Sequence, residues 1–214
     1  VKAEARITDD GTVADWVYDL WSTPHVTRPG PAGNLLPARL IDKSFKPSAP
    51  VNVPQPAGAA DRNAVPAYTF KRTRITEHFI REMPLRVSAL RALGAYMNVF
   101  ALEGFVDEIC NATDADPLAF RRAHLDDPRA RDVLDRAAHE FGWSTWTAQT
   151  TDKGSHHGRG LAYSRYKNLA AYCAIALDLR VDADTGDIHI GRVVAAVDSG
   201  QAVNPDGIRN QTEG

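Results

Sequence analysis

Two helix starts of the same kind constrain the fold of this chain more than any other feature. Asp116-Pro117 and Asp127-Pro128 each place a carboxylate that can cap a helix before a proline, whose missing N–H is not needed in the first helical turn. Apolar residues at helical spacing follow the second pair, and a glycine ends the pattern. The sequence therefore predicts a short helix over 117–125 and a longer helix over 128–141.

A third helical pattern comes before this pair. Apolar residues recur on one face of a predicted helix over 97–112, and the aromatic rings of Phe100 and Phe105 are expected to widen that stripe. The stripe itself consists of Val99, Leu102, Val106, Ile109 and Cys110. Patterns typical of strands lie on both sides of the three helices. The fold class expected is α+β, with β-hairpins and a small sheet packed with about three helices.

The strand patterns alternate polar and apolar residues. Residues 1–20 are expected to form a hairpin with a turn at Gly11, and residues 68–79 to form a single strand. Further strands are expected over 160–164 and 170–181 and over 188–197, the last two forming a C-terminal hairpin. The apolar residues change parity within the final strand, so either both of its faces are buried or it has a bulge near Gly191.

The segment 24–66 differs from the rest because it holds nine of the thirteen prolines and few periodic apolar residues. We expect an ordered excursion that wraps the body, with some mobile parts. The domain organisation predicted is a hairpin plus this excursion over 1–66, followed by a second domain over 67–214.

Composition excludes several classes of function. The chain of 214 residues is 43% hydrophobic, carries a net charge of −2 and has no long basic run, which argues against nucleic acid as a partner. Apolar runs are too short for a transmembrane segment. Cys110 and Cys173 are expected to be buried thiols, although a disulfide between them stays possible. The compartment stays open.

Two motifs about a hundred residues apart carry a resemblance. Leu90-Arg91-Ala92-Leu93-Gly94-Ala95 leads into the first helix, and Val197-Asp198-Ser199-Gly200 leads through Asn204-Pro205 to Gln211-Thr212-Glu213-Gly214. Together they resemble the molybdopterin-binding large subunit of the xanthine dehydrogenase and aldehyde oxidase family, with particular likeness to the β subunits of isoquinoline 1-oxidoreductase. The likeness is good over 65–214 and loose over 1–64.

The resemblance implies a bacterial molybdenum hydroxylase. Such an enzyme uses water to hydroxylate an N-heteroaromatic or an aldehyde, and passes electrons to iron–sulfur clusters on a small [2Fe-2S] partner subunit. The implied cofactor is molybdopterin with molybdenum, in a dinucleotide form. The family's general base is a glutamate in a Gly-x-Gly-Glu context, which this sequence lacks, so no catalytic residue is expected within it.

The resemblance also implies roles for particular residues. Arg91, Gly94 and Ala95 would shape the cofactor pocket, since glycine lets the backbone approach a ligand and the helix N-terminus offers free N–H groups to an anion. Leu93 would line the substrate cavity. Gln211 would either bind the pterin edge through its amide or cap a following helix. Relatives place Pro-Gln after the glycine of the turn, where this chain has Tyr96-Met97-Asn98.

Two other groups of polar residues have simpler interpretations. Glu103 and Asp107 share a helix face, and a solvated or capping face is favoured over a paired-carboxylate site, with ion pairs to nearby arginines also open. His156 and His157 are adjacent without a third ligand at a suitable spacing, so no metal site is expected. Arg159 remains a weak candidate for contacting an anion.

The chain begins at Val1 rather than at a methionine and breaks off within the second motif, so we expect it to be an internal piece of a larger subunit. The isolated piece is expected to be inactive and to bind no molybdopterin. The alternative function is that of a non-catalytic α+β assembly domain, whose helices and loops only bind a partner.

Overall fold

The first sheet is built around the N-terminal hairpin. The computed structural model describes residues 1–25, 30, 35–46, 48–84, 87–145, 147 and 154–214. Strand β1 (Lys2–Ile7) pairs with β2 (Val13–Ser22) in antiparallel fashion, as predicted. Strand β3 (Thr73–Phe79) then pairs with β2 in parallel, which completes sheet 1 in the order β1-β2-β3.

One face of β2 forms an aromatic core. Trp16, Tyr18 and Leu20 alternate along the strand and are fully buried. The ring of Trp16 stacks on Phe70 with centroids 4.8 Å apart, and it contacts Phe105 at 5.1 Å. Aromatic pairs at these distances stabilise a core beyond the area that they bury. Sheet 1 therefore has a packed face of its own.

Helix α1 (Gly94–Thr113) begins three residues before the predicted start. Leu102, Val106, Ile109 and Cys110 are buried, which confirms most of the predicted stripe. The prediction for Phe100 is wrong, because this side chain is 74% exposed. Phe100 lies on the opposite face of the helix from the buried stripe, and ring size alone did not reveal that.

The two Asp-Pro pairs start helices as predicted. The Asp116 carboxylate caps α2 (Pro117–Ala123) by accepting from the N–H of Ala119 at 2.8 Å, and Asp127 caps α3 (Pro128–Phe141) by accepting from Arg129 at 3.0 Å. At the end of α3, Gly142 adopts the left-handed conformation with φ of 81°. These local signals are confirmed.

Sheet 2 is an antiparallel meander. Its strands are β4 (Ser155–Arg165), β5 (Tyr172–Asp182) and β6 (Ile188–Asp198), in that order. The register shifts opposite Asp178, where two residues of β6 face one residue of β5. This is the bulge predicted near Gly191. A side chain at that position would meet the Asp178 carboxylate, because an added Cβ would lie only 2.0 Å from its Oδ1.

The two faces of sheet 2 differ. The inner face packs with α3 and includes five buried residues, namely Leu161, Tyr163, Tyr172, Ala174 and Ala176. The outer face has the opposite parity and is half-buried or exposed throughout. Its central residues are apolar, namely Gly158, Gly160, Ala162, Ile175, Leu177, Leu179, Ile190, Val193, Ala195 and Val197. Toward the ends of the strands the same face also includes His156, Ser164, Cys173, Val181 and Ile188.

A fourth helix, α4 (Pro205–Glu213), follows sheet 2 and was not predicted. The Asn204 side chain caps it by accepting from the N–H of Gly207 at 3.0 Å. Asn204-Pro205 is thus the same kind of helix start as the two Asp-Pro pairs. The sequence did not predict this helix, because the helix is short and mostly polar.

The chain divides into two compact units. Unit 1 comprises residues 1–66, 70–106 and 167–169, and unit 2 comprises 67–69, 107–166 and 170–214. Within the described ranges of the chain, four α-helices and two small sheets confirm the α+β class. The predicted domain boundary at residue 66 stays a prediction for the larger subunit.

The second half of the proline-rich segment is well packed. Ala59, Ala60 and Ala64 are buried, and the Arg62 guanidinium donates to the carbonyl oxygens of Ala57 and Gly58, both at 2.8 Å. This agrees with an ordered excursion. Residues 26–29, 31–34 and 47 lie outside the described residues, and the expectation of mobile parts is not tested.

Both cysteines are free thiols. Cys110 is buried, and Cys173 is half-buried, with a pKa that burial raises. Within the described parts of the chain, no helix is both long and apolar enough to cross a membrane.

Candidate functional site

The turn before α1 has an unusual backbone. The N–H of Leu93 donates to the Leu90 carbonyl at 3.1 Å, and Ala92 and Leu93 have φ values of 67° and 57°. Residues other than glycine pay a cost of about 1 kcal/mol or more each for this left-handed conformation. The turn is therefore held in a strained shape by its surroundings.

The turn also uses backbone N–H groups that were expected to bind an anionic group of a ligand. The N–H of Ala95 donates to the Ala92 carbonyl at 3.1 Å, and that of Tyr96 donates to Leu93 at 3.3 Å. Ala95 itself is buried in the core, whereas Arg91 is exposed and Leu93 is half-buried. The start of α1 thus has fewer free N–H groups for an anion than expected.

Gly94 allows a close approach within unit 1. A Cβ added at this position would lie 3.2 Å from the Ala59 carbonyl oxygen and 3.5 Å from the Arg62 side chain. Its φ lies outside the left-handed region, so space rather than conformation favours glycine. The glycine therefore fits α1 against the proline-rich segment, whatever else it does.

Asn98, within the segment that departs from the family pattern, has a structural role in unit 1. Its buried amide accepts from the Tyr18 hydroxyl at 2.9 Å and donates to the Arg62 carbonyl at 2.9 Å. Burial raises the pKa of Tyr18 to about 12, so this hydroxyl keeps its proton. One side chain thus links β2, α1 and the proline-rich segment, and the turn before α1 is fixed on that frame.

Gln211 lies on α4 and lines an apolar groove. The groove, of about 750 Å³, lies between α4 and one end of the outer face of sheet 2. Its floor is apolar and includes Cys173, Ile175 and Val197. Its rim is polar and includes Ser199, Gln201, Asn204, Gln211 and Thr212. Gln211 lies within α4, whose N-cap is Asn204, and its predicted role as the cap of a following helix stays a prediction.

The segment before α4 is anchored by a charged network in unit 2. Arg129 donates to both oxygens of Asp198 at 2.7 Å, and it also lies over the Tyr172 ring at 4.8 Å. Arg165 covers the same ring at 4.6 Å, and the Tyr172 hydroxyl donates to Asp127 at 2.8 Å. The hydrogen bonds from Arg129 lower the pKa of Asp198 to about 2. The network was not found from the sequence, since its members are distant along the chain.

Two candidate polar groups have structural roles. Glu103 is buried, not solvated as predicted, while Asp107 is half-exposed and pairs with the buried Arg121 at 2.8 Å. Arg159 lies over the Trp143 ring at 3.8 Å and donates to the Trp143 carbonyl. Arg159 therefore braces the end of α3. Among described residues, no three His, Cys, Asp or Glu side chains group closely enough to hold a metal ion.

The predicted site residues fall into two sets. Arg91, Leu93, Gly94 and Ala95 lie in one turn of unit 1, and Gln211 lies in the groove of unit 2. Each set is local to its own unit, and the cofactor role of both sets stays a prediction.

Comparison with known proteins gives the family. Residues 113–214 match the family described as the molybdopterin cofactor-binding domain. The chain is 32% identical over 223 residues to a nicotinate dehydrogenase subunit of Pseudomonas putida, an alignment that covers 100% of this chain and 18% of that relative. The beta subunit of isoquinoline 1-oxidoreductase from Brevundimonas diminuta is 34% identical over 129 residues, covering 60% of this chain and 16% of that relative.

The chain belongs to the molybdopterin-binding subunits of the xanthine dehydrogenase and aldehyde oxidase family. A more distant relative, the membrane-bound aldehyde dehydrogenase (pyrroloquinoline-quinone) of Gluconacetobacter polyoxogenes, is 23% identical over 155 residues, which covers 67% of this chain and 20% of that relative. The chain therefore spans a fifth or less of the length of these relatives. The family match includes sheet 2, α4 and the groove that Gln211 lines.

Proposed function

We propose that this chain is part of the large subunit of a molybdenum hydroxylase that binds a dinucleotide form of molybdopterin. The full enzyme would use water to hydroxylate an N-heteroaromatic or an aldehyde, and would pass electrons to iron–sulfur clusters on a small [2Fe-2S] subunit. Nicotinate and isoquinoline, which appear in the names of two relatives, are both N-heteroaromatic compounds. The name of the third relative supports the aldehyde alternative.

The observation that carries the proposal is the groove beside α4 within the matched domain. A pterin is a flat heterocycle with a polar edge, and it suits an apolar floor with amide and hydroxyl groups along one rim. The Gln211 amide can both donate and accept a hydrogen bond, as the edge of a pterin requires. The residues present therefore fit this group.

Bound molybdopterin with molybdenum would supply the redox chemistry of the hydroxylation, while the protein binds, orients and shields it. Gln211 would orient the pterin edge, and the apolar floor would keep water from one of its faces. In unit 1, Arg91 would offer a positive charge to an anionic group of the cofactor, and Leu93 would line the substrate cavity.

The first test uses the full-length large subunit, produced together with the small one. Gln211→Ala should lower the content of molybdenum and pterin, measured per folded molecule, by roughly tenfold, because a polar cofactor edge would lose a hydrogen bond. Asn210→Ala is the matched control, since Asn210 is exposed on the same helix and does not line the groove. Equal cofactor content in the two variants would contradict the role of Gln211.

A second test concerns the turn before α1 in the same full-length enzyme. Arg91→Ala should reduce activity while lowering folding stability by about 1 kcal/mol or less, as expected for an exposed arginine. Gly94→Val should abolish molybdenum binding. Because the added side chain would also crowd the Ala59 carbonyl, the metal content of the folded molecules has to be measured together with a melting curve. Full occupancy in folded Gly94→Val would remove this turn from the cofactor site.

The alternative of a non-catalytic assembly domain makes the opposite prediction. If the chain only binds a partner, none of these three substitutions should change the molybdenum content of the folded protein. The observation that favours this alternative is the open apolar outer face of sheet 2.

A further inference from the structure

The central part of the outer face of sheet 2 is apolar, and its polar residues His156 and Ser164 lie at opposite ends of β4. Ile190 is 63% exposed and Val193 is 52% exposed. On the inner face of the same strands, by contrast, Leu161, Ala174 and Ala176 are buried. A contiguous apolar sheet face of this size marks a surface that something else covers.

Two glycines on this face give a second, independent indication. Gly158 and Gly160 are central in β4, and neither adopts a left-handed conformation. A Cβ added to either would have no atom within 4 Å. Glycine weakens a strand, so its presence where the chain itself leaves open space points to another backbone that approaches closely.

The two observations combine into a shaped surface. The two glycines leave a shallow channel along β4, beside a ridge formed by Leu177 and Leu179 on β5. A helix with small apolar residues on one side can lie in such a channel and press its neighbouring side chains against the ridge.

We propose that the outer face of sheet 2, outside the groove that Ile175 and Val197 help to line, is an internal interface, covered by an apolar helix from another part of the same subunit. The whole chain aligns with only 18% of the nicotinate dehydrogenase subunit, so most of that relative's polypeptide lies outside the aligned part. The outer face is also continuous with the groove beside α4, which lies within the matched domain. The proposal does not depend on the identity of the cofactor.

The test compares two adjacent positions of β6 in the full-length subunit. His189 and Ile190 are both exposed in this chain and point to opposite faces of the strand. We expect a thiol introduced by Ile190→Cys to react with a maleimide at least about tenfold more slowly than one introduced by His189→Cys, because a packed interface opens only rarely. Peptide mapping by mass spectrometry identifies the modified cysteine among the native ones, and equal rates at the two positions, fast or slow, would overturn the proposal.

The same labelling distinguishes the possible occupants. Protection of position 190 that persists on dilution, in a subunit purified alone, supports cover by the same polypeptide. Protection that is lost on dilution would mean a second copy, and protection that needs the small subunit would mean a partner. Either result would overturn the assignment to the same subunit.

A third variant tests the close approach at β4. Adding Gly160→Leu to the Ile190→Cys protein would fill the channel, and the thiol should then react about as fast as the one at position 189. Gly160→Ala, with a far smaller side chain, is the matched control and should leave most of the protection in place. Full protection in the leucine variant would mean that no backbone lies over Gly160.

Discussion

The two sheets have the same number of strands, but their faces are covered differently. In sheet 1, large aromatic side chains of β2 pack against Phe70 and against Phe105 of α1 within the same unit. In sheet 2, α3 packs with the inner face, which has buried alanines as well as tyrosines, while the outer face is open and includes two glycines. Sheet 1 thus has most of its stabilising contacts within the chain, whereas sheet 2 has a complete core on one side only.

This contrast teaches how to interpret exposed apolar residues in a chain that spans a fifth or less of its relatives. A scattered apolar residue needs no explanation, but an uncharged face with unexplained strand glycines does. The same contrast shows where substitutions should be costly in this chain alone and where their cost should appear only in the larger subunit.

The largest effect is expected in sheet 1. Trp16→Ala should cost about 3–5 kcal/mol of unfolding free energy, because a fully buried ring would leave a cavity beside Phe70 and Phe105. Trp21→Ala, in the same strand, should cost less than about 1 kcal/mol because that ring is 53% exposed. Urea unfolding followed by tryptophan fluorescence measures both, and similar costs would mean that sheet 1 is not the self-contained core described here.

A smaller effect on stability is expected at sheet 2, where substitutions on the two faces should differ in cost. Ala174 on the inner face is fully buried, so Ala174→Leu should cost about 1–3 kcal/mol by overpacking the contact with α3. Ile190→Ser on the outer face should change stability by no more than about 0.5 kcal/mol in this chain. A large loss from Ile190→Ser in the 214-residue chain would show that the outer face is already covered within it.

The next effect concerns α4, the helix beside the outer face. Asn204→Ala should destabilise it by about 1 kcal/mol, because the cap to the N–H of Gly207 is lost. Asn204→Asp should preserve the cap and serves as the control. Hydrogen exchange of the backbone amides in 205–213 measures the destabilisation of α4 directly. Unchanged exchange in the alanine variant would mean that packing rather than capping holds α4.

The smallest effect is expected on the acid titration of two carboxyl groups, one in each sheet. Hydrogen bonds from Arg72 and then Arg6 lower the pKa of Asp15 in sheet 1 to about 2, and those from Arg129 lower the pKa of Asp198 in sheet 2 to about 2. Because both pKa values lie below the ordinary 3.8, the ionised form of each carboxyl group stabilises the fold above about pH 4. This stabilisation is lost as the pH falls through 2.

Carboxyl chemical shifts measured by NMR give both titration midpoints. Arg129→Gln should raise the midpoint of Asp198 toward its ordinary value and leave that of Asp15 unchanged. If both midpoints move together, the two sheets share an electrostatic environment, and the comparison between them would need revision.

Local signals were predictable from the sequence, whereas distant pairings were not. The caps at Asp116 and Asp127, the stop at Gly142 and the bulge at Gly191 each depend on a few adjacent residues, and all are confirmed. The parallel pairing of β2 with β3 leaves no local mark and was missed. So was α4, whose cap was visible but whose apolar stripe is too short to identify a helix.

The candidate site shows the same limit. The sequence located the turn before α1, but the left-handed conformations of Ala92 and Leu93 could not be predicted, since neither residue prefers them. Asn98 was noted only as a departure from the family pattern, and its bonds to Tyr18 and Arg62 depend on residues far away along the chain. The exposure of Phe100 depends on which side of α1 faces β2 and the proline-rich segment, and that was not predictable either.

The parallel pairing of β2 with β3 also determines when sheet 1 can be completed during synthesis. Parallel neighbours need a long connection, which here runs over residues 23–72, while the strands of sheet 2 follow one another through short turns. On the ribosome, the hairpin of β1 and β2 therefore emerges with an unpaired strand edge and keeps it until β3 has been made. For that interval the nascent chain exposes an open edge of β2, at which another chain could pair.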